Sequence, residues 1–146
     1  MMYTDEEIEE LRTRAEAWGL AGRKLLADAE AVKRDCNGIG AEWMGKYLRG
    51  ALDKTNPTLR PTAAIHDRRY AEGNSRRQYP SEESARLAAD MEFWENGLRS
   101  ANARYGWYDL RRYRVREQVR KLYAALRIGG KPAWDAAKKE REARHE

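Results

Sequence analysis

Ala63, His66, Asp67 and Tyr70 share one face of a helix, within about a third of its circumference, because each residue turns roughly 100°. Ile65, Arg68 and Arg69 fall elsewhere on that helix. A face that combines an imidazole, a carboxylate and a phenol is a poor choice for plain core and a good choice for a site. Imidazole gains and loses its proton near neutral pH, so it can act as a general base once a partner fixes its orientation and tautomer. Asp90, on the helix that follows, is the candidate partner. It falls at the edge of an apolar stripe formed by Leu87, Met91, Trp94 and Leu98. A carboxylate so placed needs a hydrogen-bonding or charged partner, because isolated burial is costly or forces protonation. Two helices joined by a short loop pack antiparallel, which brings Asp90 towards His66 and Tyr70. The plain alternative is a structural histidine, since His-Asp pairs also arise by chance.

Helical periodicity and caps supply the elements that must position these residues, and the pattern predicts an all-α fold. Thr4 with Glu7 makes a capping box, and Tyr3 with Ile8 a hydrophobic staple. A helical pattern follows over 5–34, bent at Gly19 and Gly22, and stops at Asp35-Cys36-Asn37-Gly38-Ile39-Gly40. A short amphipathic stretch runs from Glu42 to Leu52, and Lys54-Thr55-Asn56-Pro57 reads as a linker turn. Pro61 suits the first position of a helix that Gly73 ends. Residues 74–80 form a polar loop, Ser81 caps the next helix, and that helix runs to about Tyr105 with Gly106 as its stop. A basic helix is expected from Trp107 to Leu126, ended by Gly129-Gly130. Pro132 then opens a charged segment that frays towards Glu146. The expected architecture is one domain over 1–146. Two central antiparallel helices carry the site, flanked by the N-terminal helix and the basic C-terminal helices over 107–146.

Ile65-His66-Asp67-Arg68-Arg69-Tyr70 is similar to the His-Asp-x-x-Tyr signature of phospholipases A2. Cys36-Asn37-Gly38-Ile39-Gly40 resembles the Gly-x-Gly calcium loop that precedes it, and Ser81 to Trp94 resembles the helix bearing the supporting aspartate. The resemblance covers about 36–98 and is nearest to the disulfide-free branch found in parvovirus capsids and in phage and bacterial proteins. With one cysteine, Cys36, the chain can form no internal disulfide. Asn37 and Ala63-Ala64 occupy neighbourhoods often rich in cysteine in secreted members, and the chain between Gly40 and His66 is longer than theirs. The resemblance implies that His66 deprotonates a water attacking the sn-2 ester of a glycerophospholipid. It implies that Asp90 holds His66 and that Tyr70 hydrogen-bonds to Asp90. It also implies a calcium ion (Ca2+) bound by Asp67 and by backbone carbonyls of Cys36, Gly38 and Gly40. Calcium favours such hard oxygen ligands, and glycine lets the backbone approach closely. Without the resemblance, Asn37 to Gly40 reads as a helix stop and Cys36 as a small buried residue.

Charge bears on the partner. The chain carries a net charge of +5 and a mean hydropathy of −0.99. From Arg99 to Glu146, 14 Lys and Arg stand against 6 Asp and Glu. No apolar run approaches the roughly 18 residues needed to span a bilayer. The acidic start, Tyr3-Thr4-Asp5-Glu6-Glu7, lacks a signal-peptide pattern, so the expected place of synthesis is the cytoplasm. On the basic helix Leu110, Val115, Val119, Leu122 and Leu126 form a stripe, Arg111, Arg112, Arg114, Arg116, Arg120 and Lys121 crowd the remainder, and aromatic residues interleave. This is either a solvated face, a patch for an anionic phospholipid membrane surface, or, less favoured, one for nucleic acid or another virion protein. Two readings follow. One is a calcium-dependent phospholipase A2-like hydrolase of a phage, virion or bacterium that acts on membranes. The other is a non-enzymatic helical structural or connector protein of a phage particle, whose basic helices bind DNA or neighbouring subunits.

Overall fold

The computed structural model describes residues 3–36 and 57–145, and all regular structure among them is helical. The expected stretch from Glu42 to Leu52 and the glycines Gly38 and Gly40 lie outside the described residues. Six α-helices are described: α1 (Asp5–Ala17), α2 (Ala29–Asp35), α3 (Arg60–Glu72), α4 (Glu82–Arg104), α5 (Leu110–Gly129) and α6 (Lys131–Arg144).

Helix α1 begins with the expected capping box. Thr4 Oγ1 accepts from the Glu7 amide at 3.1 Å, and the Glu7 carboxylate accepts from the Thr4 amide at 3.1 Å. The continuous pattern expected over 5–34 is broken in the structure. Gly19 and Gly22 adopt left-handed backbone (φ +63° and +77°), Arg23–Leu26 forms a single 3-10 turn, and Asp28 caps α2. The break turns Leu20 and Leu26 into the same cluster as Ile8, Leu11, Ala15 and Ile65. A straight helix could not present all of them to one core. The carbonyls freed by the break are satisfied by Arg12, which donates to Leu26 O at 2.8 Å and Ala27 O at 3.1 Å.

Helix α3 is the centre of the molecule. A 3-10 turn, Pro57–Leu59, leads into it where a linker turn was expected, Pro61 lies in its first turn, and Gly73 ends it at φ +54°. Pro61 through His66, Arg68 and Tyr70 are all buried. It packs against α1, α2, α4 and α6. Helix α4 starts at Ser81, which forms a capping box with Ser84, and ends one residue before the expected Tyr105.

Helices α3 and α4 run antiparallel, as the ladder of side-chain pairs shows. Thr58, just before α3, meets Tyr105, just after α4 (3.4 Å); Thr62 meets Ser100 (3.0 Å), Arg69 meets Glu92 (2.9 Å), and Tyr70 meets Asp90 (2.8 Å). The buried face of α4 is Ala85, Arg86, Ala89, Asp90, Phe93, Asn96, Gly97, Ser100 and Ala101. This corrects the expected apolar stripe: Leu87 and Met91 are exposed, and Asp90 lies at the centre of the buried face, not at its edge. The helix buries small and polar residues because α3 approaches one side and α5 another. Gly97 shows how closely α5 comes, since a Cβ there would fall 2.6 Å from Val119 Cγ2.

Helix α5 starts at Asp109, whose carboxylate caps Arg111 N, so Trp107 and Tyr108 precede it. Val115, Val119, Leu122 and Leu126 are buried as expected, whereas Leu110 is exposed. The last segment does not fray. It forms α6, which buries Ala133 and Trp134 and whose Arg141 donates to Ala71 O at 2.7 Å. Trp134 packs edge-on against Tyr70, with ring centroids 5.1 Å apart.

Candidate active site

His66 reaches the site from the middle of α3 and is only 3 % exposed. Its Nε2 lies 2.8 Å from Asp90 Oδ1. Its ring is held from two further sides, by Tyr70 (centroids 4.3 Å apart, tilted) and by Phe93 (5.3 Å, edge-on). Tyr70, one turn along α3, donates its hydroxyl to the same Oδ1 at 2.8 Å. The structure therefore brings together the three residues expected to converge: His66, Asp90 and Tyr70.

Asp90 is fully buried. Desolvation opposes its ionisation, but the hydrogen bond from His66, with further hydrogen bonds from Tyr70 and Arg127, helps to outweigh it and hold the carboxyl below the usual carboxylate range. Burial first, and then the negative charge of Asp90, push the Tyr70 phenol well up, so Tyr70 remains a protonated donor. An ionised Asp90 at Nε2 favours the tautomer with the proton on Nε2. Nδ1 is then a lone-pair acceptor.

Two arginines that the sequence reading passed over complete the cluster. Arg127, from α5, donates from Nη1 to Asp90 Oδ2 at 2.6 Å and from Nη2 to Glu83 Oε1 at 2.6 Å. Arg86, one turn before Asp90 on α4, has Nη1 3.6 Å from Oδ2, donates to Leu126 O at 2.9 Å, and forks onto Glu83. Arg86 had a signal in the spacing: an arginine four residues before a buried aspartate shares its face. Arg127 had none, because only the packing of α5 on α4 brings it there. Gly130 makes room for the group, since a Cβ on it would lie 2.8 Å from the Tyr70 hydroxyl and 3.0 Å from Arg86 Nη1.

Asp67 lies about 100° around α3 from His66 and is close enough to Tyr3 and Cys36 for its charge to act on both. Its carboxyl is pushed up to about 7, first by desolvation and then by the charge of Asp35, with His66 opposing. Asp35 is itself paired with Arg34 and Arg68. Among the described residues no Lys or Arg pairs with Asp67. Cys36 sits beside α3, its Sγ donating to Ala64 O at 3.5 Å, one turn before Asp67. Burial first, and then the charges of Asp67 and Asp35, push its thiol well up, so it offers no thiolate to a metal.

Among the described residues no three His, Cys, Asp or Glu side chains converge on a point that could hold a metal ion. The expected calcium set asks for only one side chain, Asp67, together with loop carbonyls. Asp67 fits that part: it is a part-buried carboxylate beside a second acid, with no cation on it among the described residues. Gly38 and Gly40 lie outside the described residues.

Compared with known proteins, the chain matches no family model, no curated protein and no solved structure.

Proposed function

We propose that this protein is a calcium-dependent phospholipase A2-like hydrolase that cleaves the sn-2 ester of glycerophospholipids. The observation that carries the reading is the fixed contact from His66 Nε2 to an ionised, buried Asp90, braced by Tyr70 on the same oxygen. A histidine so held has Nδ1 free to accept a proton, which is what a general base needs. In the reaction His66 Nδ1 takes a proton from water, and the oxygen of that water bonds to the ester carbonyl carbon. The ester C–O bond then breaks, the proton passes from His66 to the leaving alkoxide, and the products are a fatty acid and a lysophospholipid. Calcium, when held by Asp67 and the carbonyls of Cys36, Gly38 and Gly40, would supply positive charge to the developing oxyanion. Asp90 and Tyr70 keep the imidazole oriented throughout.

The surface supports an anionic membrane as partner. Trp107, Tyr108 and Leu110 are 75 %, 77 % and 70 % exposed, among Arg104, Arg111 and Arg114. Exposed aromatic and aliphatic side chains beside arginines suit the headgroup region of an anionic bilayer. No helix among the described residues is long and apolar enough to cross a membrane. A virion or phage component that breaches membranes would use such a surface.

One observation favours the rival. A histidine 3 % exposed, within a network that also ties two arginines, is what a structural core histidine looks like. A helical structural or connector protein using its basic helices on DNA or on neighbouring subunits would keep that network for stability. The two readings part on release of fatty acid from mixed anionic vesicles, with calcium or with a chelator. The hydrolase reading expects release that needs calcium and falls about 10²–10⁴-fold in His66→Gln. Folded, calcium-binding wild-type protein that releases nothing from any vesicle would overturn the hydrolase reading and favour the rival.

A further inference from the structure

We infer that Arg127 is a positioning residue of the His66–Asp90 pair: it holds the second oxygen of Asp90 and so fixes the rotation of the carboxylate that orients the imidazole. The inference rests on the reading of His66 as a general base, and its test contains a measurement that does not depend on activity.

The two oxygens of Asp90 have divided work. Oδ1 accepts from His66 Nε2 and from the Tyr70 hydroxyl, both at 2.8 Å. Those two contacts leave the carboxylate free to pivot about Oδ1. Oδ2 removes that freedom, because Arg127 Nη1 donates to it at 2.6 Å while Arg86 stands at 3.6 Å. Arg127 cannot follow a pivoting carboxylate, since its Nη2 is tied to Glu83 Oε1 at 2.6 Å. Glu83 is in turn forked by Arg86 at 2.9 and 3.1 Å, and Arg86 is pinned to Leu126 O at 2.9 Å. The chain of contacts runs from α4 to α5 and back, through Glu83 at the surface and through the buried Arg86. A planar guanidinium bridging two carboxylates does this better than an ammonium, which acts as a point charge.

The clamp also accounts for an oddity of α5. Arg111 and Arg120 pair locally with Asp109 and Glu117, and Arg112 donates to Asn102 of α4 at 2.8 Å. Among the described residues Arg127 alone of the arginines on this helix reaches His66, Asp90 or Tyr70.

The test compares wild type with Arg127→Met, Arg127→Lys and, as a control outside both the site and the basic helix, Arg23→Met, which removes a surface pair with Glu16. Two readouts are taken: kcat and KM for fatty-acid release from anionic vesicles with calcium, and the nuclear magnetic resonance signal of the His66 ring Nε2–H. The chain has two histidines, and His145 is exposed, so its ring proton exchanges with water and the sheltered signal belongs to His66. Arg127→Met should lower kcat about 10–100-fold with KM nearly unchanged, the size of loss seen when an outer partner of a site residue is removed. It should also shift and broaden the His66 ring signal. Arg127→Lys should recover part of both, and Arg23→Met should change neither. If Arg127→Met does not fold, Arg127→Lys and Glu83→Gln take its place, each expected to give an intermediate loss and a moved ring signal. Unchanged kcat and an unmoved ring signal in a folded Arg127 variant would overturn the inference. If wild type shows no hydrolysis, the phospholipase reading fails, and the ring signal alone decides the clamp: moved in Arg127→Met it stands, unmoved it falls.

Discussion

The side chain of Asn96 pairs with both backbone polar groups of Ala21, 75 residues earlier in the chain. Its Oδ1 accepts from the Ala21 amide at 2.9 Å, and its Nδ2 donates to the Ala21 carbonyl at 2.9 Å. Ala21 lies between the two left-handed glycines that break the N-terminal helix, so no helical partner exists for these groups. Asn96 stands in for one and anchors the turn to α4. Asn96→Ala leaves both groups of Ala21 unpaired and should destabilise the protein by about 2 kcal/mol. Urea denaturation gives the value. Faster hydrogen exchange at the Ala21 amide should accompany it, with the α4 amides slowed as before.

Asp90 carries stability as well as orientation. Its carboxyl lies below the ordinary range, with desolvation outweighed by His66, Tyr70 and Arg127. Such a group contributes stability that is present above the unfolded value of about 4 and is lost as pH falls through the folded value. Asp90→Asn leaves Arg127 and buried Arg86 facing a neutral amide. It should cost about 3 kcal/mol at pH 7, with a smaller further loss on acidification than wild type shows. Denaturation curves at pH 7 and at successive steps below pH 4 check both parts.

Asp67 has the opposite sign. With its carboxyl pushed up to about 7, the metal-free folded chain holds more protons than the unfolded chain between about pH 4 and 7. Stability should therefore fall as pH rises through that window and level off above it. Asp67→Asn removes the effect. It should be more stable than metal-free wild type at pH 8, on the order of 1–3 kcal/mol after solvent screening, and equal to it near pH 4. Millimolar calcium should raise the melting temperature of wild type at pH 8 and leave that of Asp67→Asn unchanged. Equal responses of the two proteins to calcium would place any bound ion elsewhere.

Trp134 supports the site from behind, through the ring of Tyr70. It is 3 % exposed, and its indole Nε1 has no hydrogen-bond partner among the described residues. Packing area, not hydrogen bonding, is then what the residue provides. Trp134→Ala should cost about 3–5 kcal/mol, whereas Trp134→Phe, which keeps a ring against Tyr70, should cost about 1 kcal/mol or less. Comparable losses in the two variants would show that the indole nitrogen matters after all.

Local signals accounted for most element ends. Thr4 with Glu7, Ser81 and Gly73 each act on the backbone within one turn, so their effect is visible in a short window of sequence. The meeting of His66, Asp90 and Tyr70 was legible for a related reason: helix periodicity puts His66 and Tyr70 on one face, and a buried aspartate must find partners. The misreadings came where packing chose between faces. Leu87 and Met91 have the spacing of a core stripe, yet α3 and α5 approach α4 from the side of Ala89, Asp90 and Phe93. In the same way α6, though highly charged, offers Ala133 and Trp134 to Tyr70 and becomes part of the core.

What the sequence by itself determined is therefore the all-α class, most helix boundaries and the meeting of His66, Asp90 and Tyr70. These follow from caps, breakers and a 3.6-residue period, all of which operate within a few residues. What only the tertiary structure decided is the break at Gly19 and Gly22, the depth at which Asp90 lies, and the arrival of Arg127 on its second oxygen. Each depends on contacts between residues tens of positions apart. Asp90 and Arg127 are 37 apart, and nothing local to either favours the other. They meet because α5 packs antiparallel along α4, with Val119 against Gly97 and the Leu126 carbonyl on Arg86, and that register brings Arg127 to the carboxylate.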